Sequence, residues 1–147
     1  MNDDAILEAL QRQVGCYRRL AKLADLQHEH VRQSRTEELL SVLGQRQQVL
    51  DQVADLEQAI MPAKRRWNDY LGDLPEPQRT QARGLMAESR RLLEQITSAD
   101  RNDALVLQQR KIEVGRALRQ GAIARQVNRS YAATAYNRRP ASMDFQT

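Results

Sequence analysis

Residues 3–33 read DDAILEALQRQVGCYRRLAKLADLQHEHVRQ, and the apolar spacing in this stretch decides the fold class. Leu7, Leu10, Val14, Tyr17, Ala21, Ala24, His28 and Val31 recur alternately three and four residues apart, the seam of a coiled-coil-like helix. Asp3 and Asp4 stand where a cap and the helix dipole favour acids. Ile6, Leu20 and Leu23 widen the stripe on one flank, as expected of a helix that touches more than one neighbour.

Working outward, Ser34-Arg35-Thr36-Glu37 reads as a capping box, with Ser34 as the N-cap of a second helix. Leu39, Val42, Arg46, Val49, Val53, Leu56, Ile60, Ala63, Trp67, Tyr70 and Leu74 extend the same alternation. Leu40, Leu43, Leu50 and Leu71 thicken it. Pro62 lacks a backbone donor and crowds the preceding turn, which predicts a kink or short break near Met61-Pro62. Leu74-Pro75-Glu76-Pro77 then ends the segment.

A third helix begins near Gln78, with Ala82, Leu85, Ser89, Leu92, Ile96 and Ala99 on one seam. That register runs on to Asp103 and Arg110, while Leu105, Leu107, Ile112, Val114 and Leu118 drift to another face, a stutter. The expected fold is all-α: an elongated antiparallel three-helix bundle with coiled-coil character and a flexible C-terminal tail. Residues 1–134 form the bundle, with helices at about 3–33, 35–71 (kinked near 62) and 78–131, and 135–147 form an extended or disordered basic, aromatic tail. The third helix, roughly 75 Å at 1.5 Å per residue, outruns the first, roughly 46 Å, and leaves apolar surface for a partner helix.

Composition narrows the function. The 147 residues suit one domain, and 29% charged with 4% aromatic residues suits a polar helical chain better than a β-sandwich. The net charge of +4 is unevenly placed. Residues 1–115 carry 17 Lys/Arg against 18 Asp/Glu, whereas 116–147 carry six Arg against Asp144 alone. The lone Cys16 allows no internal disulfide. The acidic start Met1-Asn2-Asp3-Asp4 lacks the basic onset and apolar run of a signal peptide, and no apolar run is long enough to span a membrane. A cytoplasmic protein is expected.

The sequence carries no motif of an enzyme, a metal site or a cofactor. The six glycines are scattered, with no phosphate-binding loop. His28 and His30, two apart, point to opposite sides of a helix, and His28 reads as a hydrogen-bonded seam residue. Asp100 and Asp103, one turn apart, read as a solvated or register-setting polar layer, and Trp67 with Tyr70 as a local packing pair. The tail is different. Tyr131, Tyr136 and Phe145, half of the six aromatics, lie in the last 17 residues beside Arg138 and Arg139, the residue types of binding hot spots. A near-neutral body with no nucleic-acid-binding motif argues against nucleic acid as the partner.

The stretch His30-Val31-Arg32-Gln33-Ser34-Arg35-Thr36-Glu37-Glu38-Leu39-Leu40, then Gln45-Arg46-Gln47-Gln48-Val49-Leu50 and Leu56-Glu57, resembles flagellar export chaperones of the FlgN type. Trp67, Leu74-Pro75, Asp100-Arg101-Asn102-Asp103 and the segment bearing Tyr131 and Tyr136 extend the similarity over about residues 5–136. The resemblance implies a chaperone that binds the C-terminal helices of hook–filament junction proteins and escorts them to the flagellar export gate, with no cofactor and no membrane insertion. Carried onto this chain, it implies a client face of Leu105, Leu107, Ile112, Val114 and Leu118. It implies gate docking through Tyr131 or Tyr136, with Arg138, Arg139 and Phe145 as neighbouring contacts. Neither tyrosine is followed by the family's glycine: Ala132 and Asn137 stand there instead. A structural stalk protein of the FliJ type is the alternative within export, and a small nucleic-acid-associated helical protein the alternative outside it. Two loops, at Ser34 and at Pro75–Pro77, favour the chaperone over a two-helix stalk.

Overall fold

The computed structural model describes residues 3–136, with residues 114, 122–124 and 126–136 described by their backbone alone. The chain is all-α, with four helices and no strand among the described residues. They are α1 (Asp3–Arg32), α2 (Thr36–Arg65), α3 (Trp67–Asp73) and α4 (Glu76–Tyr136). The chain divides into two compact units, residues 1–103 and 104–147.

In the first unit the expected seams become two clusters. Ile6, Leu7 and Leu10 of α1 bury against Ile60, Ala63, Tyr70, Leu71, Leu74 and Ala82. Val14, Tyr17, Leu20, Ala21 and Leu23 bury against Val42 and Val49 of α2 and Leu92 and Ile96 of α4. Ile6, Leu20 and Leu23 are all buried, so the widened stripe of α1 does serve two neighbours. Polar pairs give the directions. Gln13 meets Glu57 and Gln27 meets Arg46, so α1 and α2 run antiparallel. Arg18 meets Glu88 and Gln27 meets Asp103, so α1 and α4 ascend together.

Ser34 does not cap α2. The α2 N-cap is Arg35, and no side chain caps that end. Ser34 instead has φ 57°, in the left-handed region. The Ser34 N–H donates to the Val31 carbonyl at 3.2 Å and the Arg35 N–H to the His30 carbonyl at 2.9 Å. This pair of bonds is the Schellman arrangement that closes a helix C-terminus, here that of α1. The capping-box pattern fails because a three-residue turn needs a chain reversal, and Ser34 supplies it with its backbone.

The break in the second segment falls at Arg66, not at Pro62. Pro62 lies inside α2, where its missing N–H removes one hydrogen bond while the turns on either side persist. Arg66 departs from helical geometry (φ −126°, ψ 44°), its N–H donating to the Ala63 carbonyl. The short α3 that follows turns Tyr70 and Leu71 onto the first cluster, with Trp67 packed beside them and its ring centroid 5.4 Å from that of Tyr70. Pro75 immediately precedes α4 and Pro77 stands in its first turn, where N–H groups have no partner inside the helix to lose. The Arg79 guanidinium donates back to the carbonyls of Leu71 (2.9 Å) and Leu74 (3.0 Å), satisfying the end of α3.

Candidate protein-binding surfaces

Three helices meet in a polar layer at the end of the first unit. Asp103 of α4 is 1% exposed, and both its carboxylate oxygens are engaged. Gln27 donates to one at 3.1 Å, and His28 Nδ1 lies 2.8 Å from the other. Arg46 of α2 forms a bidentate pair with Asp100 at 2.7 and 2.8 Å and also donates to Gln27. The Asp100 hydrogen bonds hold the Arg46 guanidinium above its already high range, against the opposing effect of burial. Asp103 is thus a buried register-setting residue, and His28 is its hydrogen-bonded neighbour. Arg46 stands on the α2 seam and Gln27 on the α1 flank that carries Leu20 and Leu23, and the spacing alone did not disclose their roles. A charged residue at the Arg46 seam position was the available signal, since burial there demands a partner.

A second polar group joins α1 to α2 lower down. Gln13, buried, donates to Glu57 at 2.7 Å, and Lys64 grips the same carboxylate at 2.8 and 2.9 Å. Burial pushes the Glu57 carboxyl up, but the hydrogen bonds from Lys64 and Gln13 together outweigh it and leave it below the usual carboxylate range. A shallow cleft of about 450 Å³ opens beside this group, lined by Gln13, Tyr17, Lys64, Met86, Ser89 and Leu93 among others. No cluster of three metal-ligating side chains occurs among the described residues, and no described helix is long and apolar enough to cross a membrane.

The candidate client residues lie in the second unit, on a helix that continues without interruption. Leu105 is 65% exposed, Leu107 and Ile112 are exposed, and Leu118 is half-buried. The side chain of Val114 lies outside the described residues. Continuous α-helical geometry splits the set. At 100° per residue, positions 105 and 112 share one register, and positions 107, 114 and 118 share another nearly opposite. The five therefore form two stripes where one face was expected. For docking, Tyr131 and Tyr136 stand on the backbone-only stretch of α4, and Arg138, Arg139 and Phe145 lie outside the described residues.

Three of the four leucines expected to thicken the second seam form an exposed apolar surface instead. Leu40, Leu43 and Leu50 of α2 are exposed, whereas only Leu71 of that flanking group is buried. Each exposed leucine follows a seam residue by one position (Leu39, Val42, Val49), so it sits 100° around the helix from the packed line.

The family model described as FlgN protein matches residues 1–137, nearly the whole chain and every described helix. The chain belongs to the FlgN family. It is thereby a flagellar chaperone by family, and the FlgN match spans both compact units. No curated protein and no solved structure matches the chain. The exposed large apolar side chains on the long helices of this FlgN-family chain include Leu40, Leu43 and Leu50 of α2 and Leu105, Leu107 and Ile112 of α4.

Proposed function

We propose that this FlgN-family chain acts in the cytoplasm as a secretion chaperone, binding the C-terminal helices of hook–filament junction proteins and delivering them to the export gate. The observation that carries the reading is the exposure of Leu105, Leu107 and Ile112 on an uninterrupted helix within the family match. A client terminus that is disordered alone folds against one of the two α4 stripes as an amphipathic helix, gaining about 25 cal/mol for each Å² of apolar surface buried. Ordering the client offsets several kcal/mol of that gain, which keeps binding reversible enough for hand-over. In this reading α1, α2 and the early part of α4 form a coiled-coil-like bundle, and late α4 offers the client its surface. Tyr131, Tyr136, Arg138, Arg139 and Phe145 then dock to the gate after the client is bound.

The two stripes of α4 give the test its resolution. Calorimetric titration of a junction-protein C-terminal peptide is expected to show binding weakened roughly tenfold or more by Leu107→Asp with Val114→Asp, or by Leu105→Asp with Ile112→Asp. The pair that matters names the client stripe. Unchanged affinity in both double variants, with helicity retained, removes late α4 as the client surface. Deleting residues 131–147 is expected to spare client affinity and reduce secretion, and normal secretion by that deletion strain contradicts the docking role.

A further inference from the structure

Between Glu76 and Asp103, α4 carries five arginines, and they sort by face. Arg79 donates to the Leu71 and Leu74 carbonyls, and Arg91 stands 3.8 Å from Glu88. Arg83, Arg90 and Arg101 are exposed and form no hydrogen bond or ion pair among the described residues. Spacings of seven and eleven residues hold these three within about 20° of one line, about 27 Å long at 1.5 Å per residue. Glu94 lies about 40° from that line, between Arg90 and Arg101.

An apolar strip runs alongside. Met86 and Leu93 each follow one of these arginines by three residues, which sets them about 60° around the helix, on the side of the packed seam. Leu93 is 42% exposed and Met86 is half-buried. Both line the cleft of about 450 Å³ beside Gln13 and Lys64, and Arg90, Arg101 and Glu94 line it with them. Lys64 is taken up by Glu57, so the charge the cleft offers a partner is that of its two arginines against Glu94. Ser89, 6% exposed in the same lining, has a hydroxyl with no hydrogen-bond partner among the described residues. Buried polar groups are seldom left unpaired, so the cleft is incomplete on its polar side as well as its apolar one.

We propose that this face of early α4 binds an acidic amphipathic helix of a partner protein, whose apolar seam covers Met86 and Leu93 and whose carboxylates meet Arg83, Arg90 and Arg101. Charges flanking an apolar seam are the means by which paired helices select partner and register. Arginine suits the role, because its planar fork takes a carboxylate through two hydrogen bonds. The pattern is specific: it calls for acids seven and eleven residues apart, and Glu94 repels an acid placed between the last two. No three acids of this chain repeat that spacing in either order, so a second copy does not supply the helix. A phosphate backbone would leave Met86 and Leu93 uncovered, which favours a protein over nucleic acid. The site lies in the first unit and does not rest on late α4 taking the client.

Fluorescence anisotropy of the full chain with designed helical peptides tests it. The probes carry a leucine seam and glutamates spaced seven then eleven, or eleven then seven, as the parallel and antiparallel matches to the arginines. At about 0.1 M salt, one of them is expected to bind roughly tenfold or more tightly than two controls. The controls are a lysine-for-glutamate peptide and a peptide of the same composition with its glutamates evenly spaced. Arg90→Glu is expected to weaken binding roughly fivefold or more, and a peptide lysine facing position 90 to recover part of the loss. Leu93→Asp is expected to weaken it roughly tenfold. Should that variant lose helicity by circular dichroism, Leu93→Ser makes the same comparison. The Leu107→Asp, Val114→Asp protein is expected to bind the peptide as the wild type does, which separates this site from the client surface. Failure of both matched peptides to bind overturns the proposal. So does equal binding of either control, wild-type affinity of the Arg90 variant, lost binding in the Leu107, Val114 variant, or tighter binding of a single-stranded RNA.

Discussion

Ser34 holds a left-handed backbone that an L side chain adopts at a cost of about 1–2 kcal/mol. Its place as the residue after the α1 C-cap is one that glycine fills most readily. Ser34→Gly is therefore expected to stabilise the chain by about 1 kcal/mol, raising the thermal midpoint by roughly 2–4 °C in a circular-dichroism melt. A lower midpoint would show that the serine side chain contributes something the backbone bonds do not. Asp103 makes the opposite case. Removing its carboxylate leaves Gln27 without an acceptor in a buried layer and deprives His28 of its partner. Asp103→Ala is expected to cost about 3 kcal/mol in urea denaturation, against at most about 0.5 kcal/mol for a solvated carboxylate. The sequence offered the Asp100–Asp103 spacing but left the layer solvated or register-setting. Its partners come from α1 and α2, 75 and 54 residues earlier in the chain, where no local pattern points.

At the scale of the element, periodicity located the helices and local chemistry misplaced some of their ends. The seam from Leu39 to Leu74 is continuous in spacing, yet two helices share it, because the break at Arg66 preserves the apolar phase on both sides. Proline was the visible disruptor, but Pro62 is exposed within a helix that tolerates it. Pro62→Ala restores a donor to the Gln58 carbonyl and removes a steric clash at no packing loss. It is expected to stabilise the chain by about 1–3 kcal/mol, read from the urea midpoint. A destabilised Pro62→Ala protein would mean that the proline supports the α2–α3 break. The late α4 set shows the converse limit: Leu105, Leu107 and Ile112 looked like one drifting face, but an unbroken helix assigns them to two registers.

For the whole molecule, the division after Asp103 coincides with the end of the polar layer, and both buried clusters lie before it. A fragment of residues 1–110, which keeps the layer away from a fraying end, is expected to unfold cooperatively with a midpoint close to that of the full chain. Loss of a cooperative transition in its thermal melt would show that the first unit needs the second. By itself the sequence determined the all-α class, the long helices and the segregation of basic charge into the last 32 residues, since helical spacing and charge are local quantities. Only the tertiary structure decided which leucines are buried. Leu39 and Leu40 are neighbours in the chain, but one turns toward the packed line and the other lies 63% exposed. Tertiary structure likewise paired Arg46 with Asp100 and Gln27 with Asp103. Burial and long-range polar pairing depend on which helix faces meet, and that is fixed only once the helices pack.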